Sequence, residues 1–545
     1  MSTIRFQSII SRSFLILLSI TVVSLVGCDK KKPGYEDPKP VTINEKSIVI
    51  HDVDALAKPF AFAKTMDQVV ATAGGAPTTS AAMLKSVVDS FAENAFVHPI
   101  SGKTIDVKPR PLESAIDPGD LLNPISPDGM IPVGLFNRFD LAPADGSNCG
   151  EYRIVYAKKS GGRLDRMTMI FEARVPNPNP SKGLAGCASI TDYWAERSND
   201  ATIAQVVAAL EQLYYQGIPN VEPVVQAENY GLPMGQLRVN LFKTPNPGEV
   251  PWALREFLVS FDSGGRAVFK SEPVDDSPTA SLFRTASDSS SPFSEEDRSH
   301  FHTSFLGQPL CNLVNPDRIN KNVLLADDII NGISAGYDPR FNDFESISQG
   351  NDDNPATDTD PQLLNQVQAR LAALSDLSGV SSTQLMNRAG TMTCGGCHQF
   401  SAEAGNNDLG NKAIWPASLG FVHIDESGAL SPLLNEVFIP KRIKIAQQFK
   451  ENRAAFQQEA APCPGVTVTS KKIVIPNVTK SREHDLYKNV DSIRKKMQEV
   501  IQISEAQPDK SNELKTTLQE LKEATDSARQ QESTSQGAYT PARTH

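Results

Sequence analysis

Six consecutive residues carry the most specific chemistry in the chain: Thr393, Cys394, Gly395, Gly396, Cys397 and His398. Two thiols one helical turn apart can each form a thioether to a porphyrin edge. An imidazole next in line then sits under the iron as proximal axial ligand. The spacing predicts one covalent haem c per chain, held by Cys394 and Cys397, with His398 on the metal. Two other chemistries use a Cys-x-x-Cys pair. A zinc site wants a second ligand pair nearby, and none is present in the sequence. A thioredoxin-like dithiol wants a strand before it and a long helix after it; here a polar helical stretch precedes the pair and a Gly/Asn loop follows.

The far side of the iron is less specified. No methionine lies between Met392 and Met497, so the Met/His ligation of many small c-type cytochromes lacks its usual downstream donor. His423, in the apolar run Gly420 to Ile424, is the one downstream histidine before the tail. It is the candidate sixth ligand and second metal-binding residue. A lone histidine among apolar residues also reads as a satisfied core residue. His/His ligation would set a lower potential than Met/His. His300 and His302 are outlying candidates, and an iron with an open position would bind small ligands or peroxide.

The amino end suggests the compartment. Arg5 and Arg12 flank a basic start, and Phe14 to Val26 is an apolar run of export-signal length. It ends in Leu25, Val26, Gly27 and Cys28, which resembles the lipobox of bacterial lipoproteins. The resemblance covers this segment alone. It implies cleavage before Cys28, a diacylglycerol thioether on Cys28 and stable membrane anchoring by two or more acyl chains. A plain secretory signal with an incidental cysteine is the alternative. With residues 394–398 added, the chain resembles a bacterial lipoprotein carrying a c-type cytochrome haem motif. That implies an extracytoplasmic place in the cell envelope, at the inner or outer membrane, with Asp29 leaning toward the inner. Residues 1–27 read as signal peptide, and 28–45 as a charged, proline-rich tether.

In an oxidising compartment the remaining Cys149, Cys187, Cys311 and Cys463 form an even set. Of three pairings, Cys149–Cys187 and Cys311–Cys463 are favoured because each lies within or embraces one apparent unit. Buried free thiols are the alternative.

The elements that must position the motif follow from patterning, and the fold class expected is α+β. Residues 46–132 read as helical and irregular, with a strand candidate at Ser47 to Val53, a helix at Ala81 to Phe91, and extended chain from Val107 to Pro132. Residues 133–275 form a strand-rich α+β unit. Its strands are Glu151 to Ala157, Met167 to Val175, Gln236 to Phe242 and Trp252 to Phe261. In the second, apolar residues alternate with Thr168, Ile170, Glu172 and Arg174, which predicts one buried face. Ile203, Val206, Val207, Leu210, Leu213 and Tyr214 mark an amphipathic helix with Gly217 as its cap. Asn137 to Glu151 resembles segments of large secreted bacterial proteins and reads as disulfide-bonded scaffold. A ligand site using Arg138, Asp140 and Glu151 is its alternative. Residues 276–298 read as a linker. A helical haem-binding unit follows over 299–465, with helices at Asn322 to Ile333, Gln362 to Leu374 and Ser382 to Ala389. Residues 466–545 form a charged helical or disordered tail. The acidic run Asn351 to Asp360 lacks the glycine and terminal glutamate of an EF-hand.

The 545 residues are 39% hydrophobic with a net charge of −11 and a mean hydropathy of −0.29. These values suit a multi-unit body without further membrane spans, and exclude the basic face that nucleic acid requires. The leading expectation is a lipid-anchored, single-haem electron-transfer protein. The alternatives are a non-catalytic envelope lipoprotein with a structural or redox cysteine pair, and a haem-dependent oxidoreductase or peroxidase. Expected partners are the membrane through Cys28, a redox protein, and a partner helix through the tail. No triad, zinc-protease, dinucleotide or phosphate-loop signature is present, so the residues do not specify a reaction.

Overall fold

The computed structural model describes residues 42–453, apart from 144–145, 160–164, 232–233, 244–250, 285–291, 315–335, 349–354, 357, 375–378, 403–407, 411–414 and 416. The signal segment, Cys28, most of the tether, the candidate helix at 322–333, Cys463 and the tail lie outside the described residues.

The chain enters through a short strand, β1 (Val49–Ile50). The longer strand expected over 47–53 is cut short because Asp52 accepts from the Ala55 amide and starts a helical turn at Val53. Two helices follow, α1 (Phe62–Ala73) and α2 (Ser80–Ser90), the second capped by Thr79. A small hairpin of β2 (Ala95–Val97) and β3 (Thr104–Asp106) comes next. Residues 107–132, expected to be extended, instead contain helical turns begun by Pro111 and Pro118. Proline suits a first helical position, where its missing N–H costs nothing.

The central strands are β4 (Met130–Arg138), β5 (Asn148–Lys158), β6 (Asp165–Pro176), β7 (Gln236–Lys243), β8 (Ala253–Phe261) and β9 (Ala267–Glu272). Between β6 and β7 lie α3 (Ala188–Glu196) and α4 (Ile203–Tyr215), the latter opened by a Thr202–Gln205 capping box. Beyond β9 come α5 (Glu295–Phe305), α6 (Gln308–Val314), β10 (Ser346–Ile347), α7 (Pro361–Ala373), α8 (Ser382–Met392), α9 (Cys394–Ala402) and α10 (Ile439–Glu451). The fold is α+β, built on an antiparallel sheet ordered β1-β4-β5-β6-β7-β8-β10, with β9 also on β8.

Each face of this sheet has its own apolar core. Tyr152, Ile154 and Tyr156 of β5, Met167 to Val175 of β6 and Leu237 to Leu241 of β7 pack with α1, α2 and α4. Val133, Phe136, Val155 and Ala157 face the other way, against α5 to α8 and the start of α10. The expectation of one buried face on β6 is therefore corrected. Thr168 and Glu172 are as buried as Met169 and Phe171, because the segment carrying the cysteine pair covers them.

Strands from 49–50, 130–272 and 346–347 share one sheet, and the described residues belong to one compact unit. The composition boundaries near 132, 275 and 298 thus fall inside a single body. Short strands β1 and β10 at its edges tie the flanking stretches to the middle one. Cys149 and Cys187 are joined in a disulfide. Cys311 is disulfide-bonded too, to a partner outside the described residues.

Candidate haem site

The cysteine motif sits at the start of α9, pinned to the sheet from several sides. Thr393 ends α8, and its hydroxyl accepts from the Gly396 amide at 3.0 Å. The Gly395 amide donates to the Ser346 hydroxyl on β10 at 2.7 Å. Arg388 of α8 donates to the carbonyls of Leu409 and Leu313 at 2.6 and 2.7 Å. Gly396 is required by space: a Cβ there would lie 2.0 Å from the Gly390 carbonyl oxygen and 2.6 Å from the Thr393 hydroxyl. Cys394 packs on Leu254 and Val274, over β8.

Both cysteines are buried thiols, not bonded to each other. Burial pushes the Cys394 thiol up to about 12 and Cys397 well above its ordinary value. An attacking dithiol needs the opposite, an accessible thiol with a depressed pKa. Among the described residues, no cluster of three or more His, Cys, Asp and Glu side chains is arranged to hold a bare metal ion.

His398 Nδ1 lies 2.8 Å from the Phe421 carbonyl oxygen. A carbonyl only accepts, so Nδ1 carries the proton and Nε2 is the acceptor atom of the ring. Fixing the tautomer in this way is how proteins present an imidazole to a metal. Burial lowers the His398 pKa, which favours the neutral ring that ligation needs. Phe421 holds its carbonyl in place from a left-handed backbone with φ of 68°, a costly conformation for an aromatic residue. Its ring stacks on Trp252 at 5.8 Å. Strain next to a metal-binding candidate is where functional sites store it.

His423 comes to the same place. Its Nδ1 is 3.1 Å from the Ser431 hydroxyl and its Nε2 is 3.6 Å from the Cys397 sulfur. The loop carrying it is tied to β6 by Arg166, which pairs with Glu426 at 2.5 Å. The rings of His398 and His423 are 4.8 Å apart, centre to centre. With metal–imidazole bonds of about 2.0 Å, ligands on opposite faces of one iron put their ring centres roughly 6 Å apart. As placed, His423 stands too near for that, and ligation would require its ring to swing away. His302 is elsewhere, with its Nε2 on the Leu282 carbonyl at 2.8 Å.

Cys394, His398 and His423 line a cavity between α9, α10 and the sheet, with about 840 Å³ of empty space including its mouth. The space inside that mouth is about 120 Å³, smaller than the roughly 300–1,000 Å³ of cofactor pockets, so the cavity would have to widen to admit a haem. The apolar lining is Phe136, Val155, Ile170, Leu254, Val422, Ile424, Leu434 and Phe438. The polar lining was not foreseen as a group: Arg138, Arg153, Thr168, Glu172, Arg238, Asn240 and Arg442. Five of these carry buried polar atoms without a hydrogen bond: Thr168 Oγ1, Glu172 Oε1, Arg238 Nη2, Asn240 Oδ1 and Arg442 Nε. Orphaned groups in an apolar cavity are what a cofactor with polar substituents would satisfy. The donor set of Cys394, Cys397 and His398 and these orphaned groups suit a haem, with Cys394 and His398 on the cavity wall and Cys397 behind it.

Of the scaffold residues singled out in sequence, Arg138 holds Asp140 with its Nη2 at 2.9 Å. Glu151 pairs with Arg153 at 2.6 Å and with Arg174 at 3.2 Å. Arg138 alone of Arg138, Asp140 and Glu151 reaches the cavity lining. The alternation along β6 contained the missing signal, since the polar half of a strand under a cofactor is itself lining. Arg442 had none, because no helix was expected at 439–451. No family model, curated protein or solved structure matches the chain.

Proposed function

We propose that the protein is a c-type haem protein that carries electrons on the extracytoplasmic side of a bacterial membrane, anchored through a lipid on Cys28. The observation that carries this reading is a Cys-x-x-Cys-His sequence whose Cys394 and His398 line a cavity with incompletely satisfied polar walls. A haem bound there supplies a one-electron centre. Cys394 and Cys397 would hold it, and His398 would ligate through Nε2 while the Phe421 carbonyl fixes its tautomer. Leu434 and Phe438 of the π-helical stretch before α10, with Val422 and Ile424, give the cavity an apolar wall. Electron transfer needs little more from the protein than a rigid, largely apolar enclosure around the ring. The Cys149–Cys187 disulfide supports an oxidising compartment. No helix among the described residues is long and apolar enough to cross a membrane, which leaves the Cys28 anchor to supply attachment.

The test is a spectroelectrochemical titration of protein matured in a c-type haem system. The reading expects a reversible one-electron transition of a covalent haem, lost in Cys394→Ala/Cys397→Ala. A haem that is reduced only irreversibly, or none at all, would count against it. The placement of His423 beside His398 rather than across a gap favours a second reading, an iron with one open position. Binding of carbon monoxide to the reduced protein without displacement of a ligand would select it.

A further inference from the structure

The sheet face beneath α9 buries a dense network of opposite charges. Five guanidiniums, Arg138, Arg153, Arg174, Arg238 and Arg442, meet the carboxyls of Asp140, Glu151, Glu172 and Glu256 there. Burial pushes the Glu256 carboxyl up to about 8, so it is protonated at neutral pH. Arg442 is the least compensated of the five. Arg138 holds Asp140 with two nitrogens, and Arg153 is occupied by Glu151 and by Glu172 at 3.0 Å. Among the described residues Arg442 has only the already committed Asp140, at 3.7 Å, and its Nε makes no hydrogen bond. Its side chain is 5% exposed, it lines the cavity and it lies over the Phe438 ring. A buried guanidinium without a full partner is costly, and an anion in the cavity would relieve that cost.

Position sets which anion. Cys394 lies over β8, whereas Arg153 is on β5 and Arg138 ends β4. At about 4.8 Å per strand, β8 and β5 are roughly 14 Å apart, comparable with the long dimension of a tetrapyrrole. In haem, the two edge groups that react with cysteines lie opposite the two carboxylates. We propose that Arg442, backed by Arg138 and Arg153, holds the propionate carboxylates of the tetrapyrrole attached at Cys394 and Cys397. The assignment rests on the haem reading. It gives the pocket a direction, from a thioether end over β8 to a guanidinium end over β4 and β5. Arg238, the other cavity-lining guanidinium with an unbonded nitrogen, stands at the thioether end and already pairs with the Glu172 carboxylate at 3.4 Å.

The test uses the full chain produced without haem maturation, with protoporphyrin IX and its dimethyl ester as probes, read by fluorescence. The wild-type chain should bind the diacid at least about tenfold more tightly than the diester, the worth of one charge-assisted contact. Arg442→Gln should lose that preference and Arg442→Lys should keep part of it. Equal affinity for the two probes in the wild type overturns the carboxylate assignment while leaving the pocket standing, and needs no variant to fold. A preference unchanged in Arg442→Gln also overturns it. Binding of neither probe removes the tetrapyrrole pocket, and this assignment with it.

Discussion

Arg238 stands between two carboxyls on a buried strand face, its Nε 3.0 Å from Glu256 and 3.4 Å from Glu172. One cation does not neutralise two anions in a dry setting, and Glu256 is the group that keeps its proton. Burial first, then Asp275 and Glu172, push it from 4.5 to about 8 against the pull of Arg238. Between those values the folded chain binds a proton that the unfolded chain has released. Stability from this group is therefore complete below about pH 4.5 and declines as pH rises to about 8. Glu256→Gln should flatten that part of the profile, read as urea midpoints from pH 5 to 9. An unchanged decline in that variant would contradict a protonated Glu256 in the folded chain. His423 is the second residue to test. If its ring swings onto the iron, His423→Ala converts a six-coordinate low-spin spectrum to high-spin, and an identical spectrum removes it as a ligand. The six motif residues announce their chemistry because covalent attachment fixes their spacing. Arg238, Glu172 and Arg442 do not, because a buried guanidinium or carboxylate has the same sequence signature as a solvated one until its cover is known.

At the scale of elements, the α8–α9 junction is the most constrained. A methyl group on Gly396 has nowhere to go against the Gly390 carbonyl, and overpacking of this kind costs about 1–3 kcal/mol. Gly396→Ala should lower the melting temperature and reduce haem per chain together; a variant with wild-type melting and loading would show that the helices are not packed this closely. The Cys149–Cys187 bond ties the start of β5 to the start of α3 across a separation of 38 residues. Its removal should cost roughly 4 kcal/mol by the loop-closure relation, measured by denaturant unfolding of Cys149→Ala/Cys187→Ala. A loss well under 1 kcal/mol would show a retained loop in the unfolded chain. Most of these elements were readable in advance. The helices at 203–215 and 382–392 and the strands β5 to β8 follow their hydrophobic periods closely. β1 and β10 were not, since two-residue edge strands carry no period. β4 was hidden because it is apolar on both sides, from Met130 to Phe136, and so shows no alternation.

For the whole molecule, the cysteine motif is part of one body rather than a detachable haem unit. Its cavity is walled by Cys394, His398, residues 422–424, Leu434, Phe438 and Arg442, and floored by strands β4 to β8. A fragment of 299–465 lacks that floor, and would leave Cys394, His398 and the apolar lining exposed to water. It should fail to fold or to retain haem, checked by circular dichroism and haem staining; a folded, haem-loaded fragment would contradict the single-unit account. Sequence composition changes near 275 and 298, but long-range strand pairing crosses those positions, and pairing of that kind leaves no local trace. The central claim stands on whether haem is there. The most direct measurement is a pyridine haemochrome spectrum with a denaturing-gel haem stain, on full-length protein made alongside a c-type maturation system. The account predicts one covalently bound haem per chain, abolished when Cys394 and Cys397 are replaced by alanine. A properly folded wild-type chain that carries no covalent haem would contradict it.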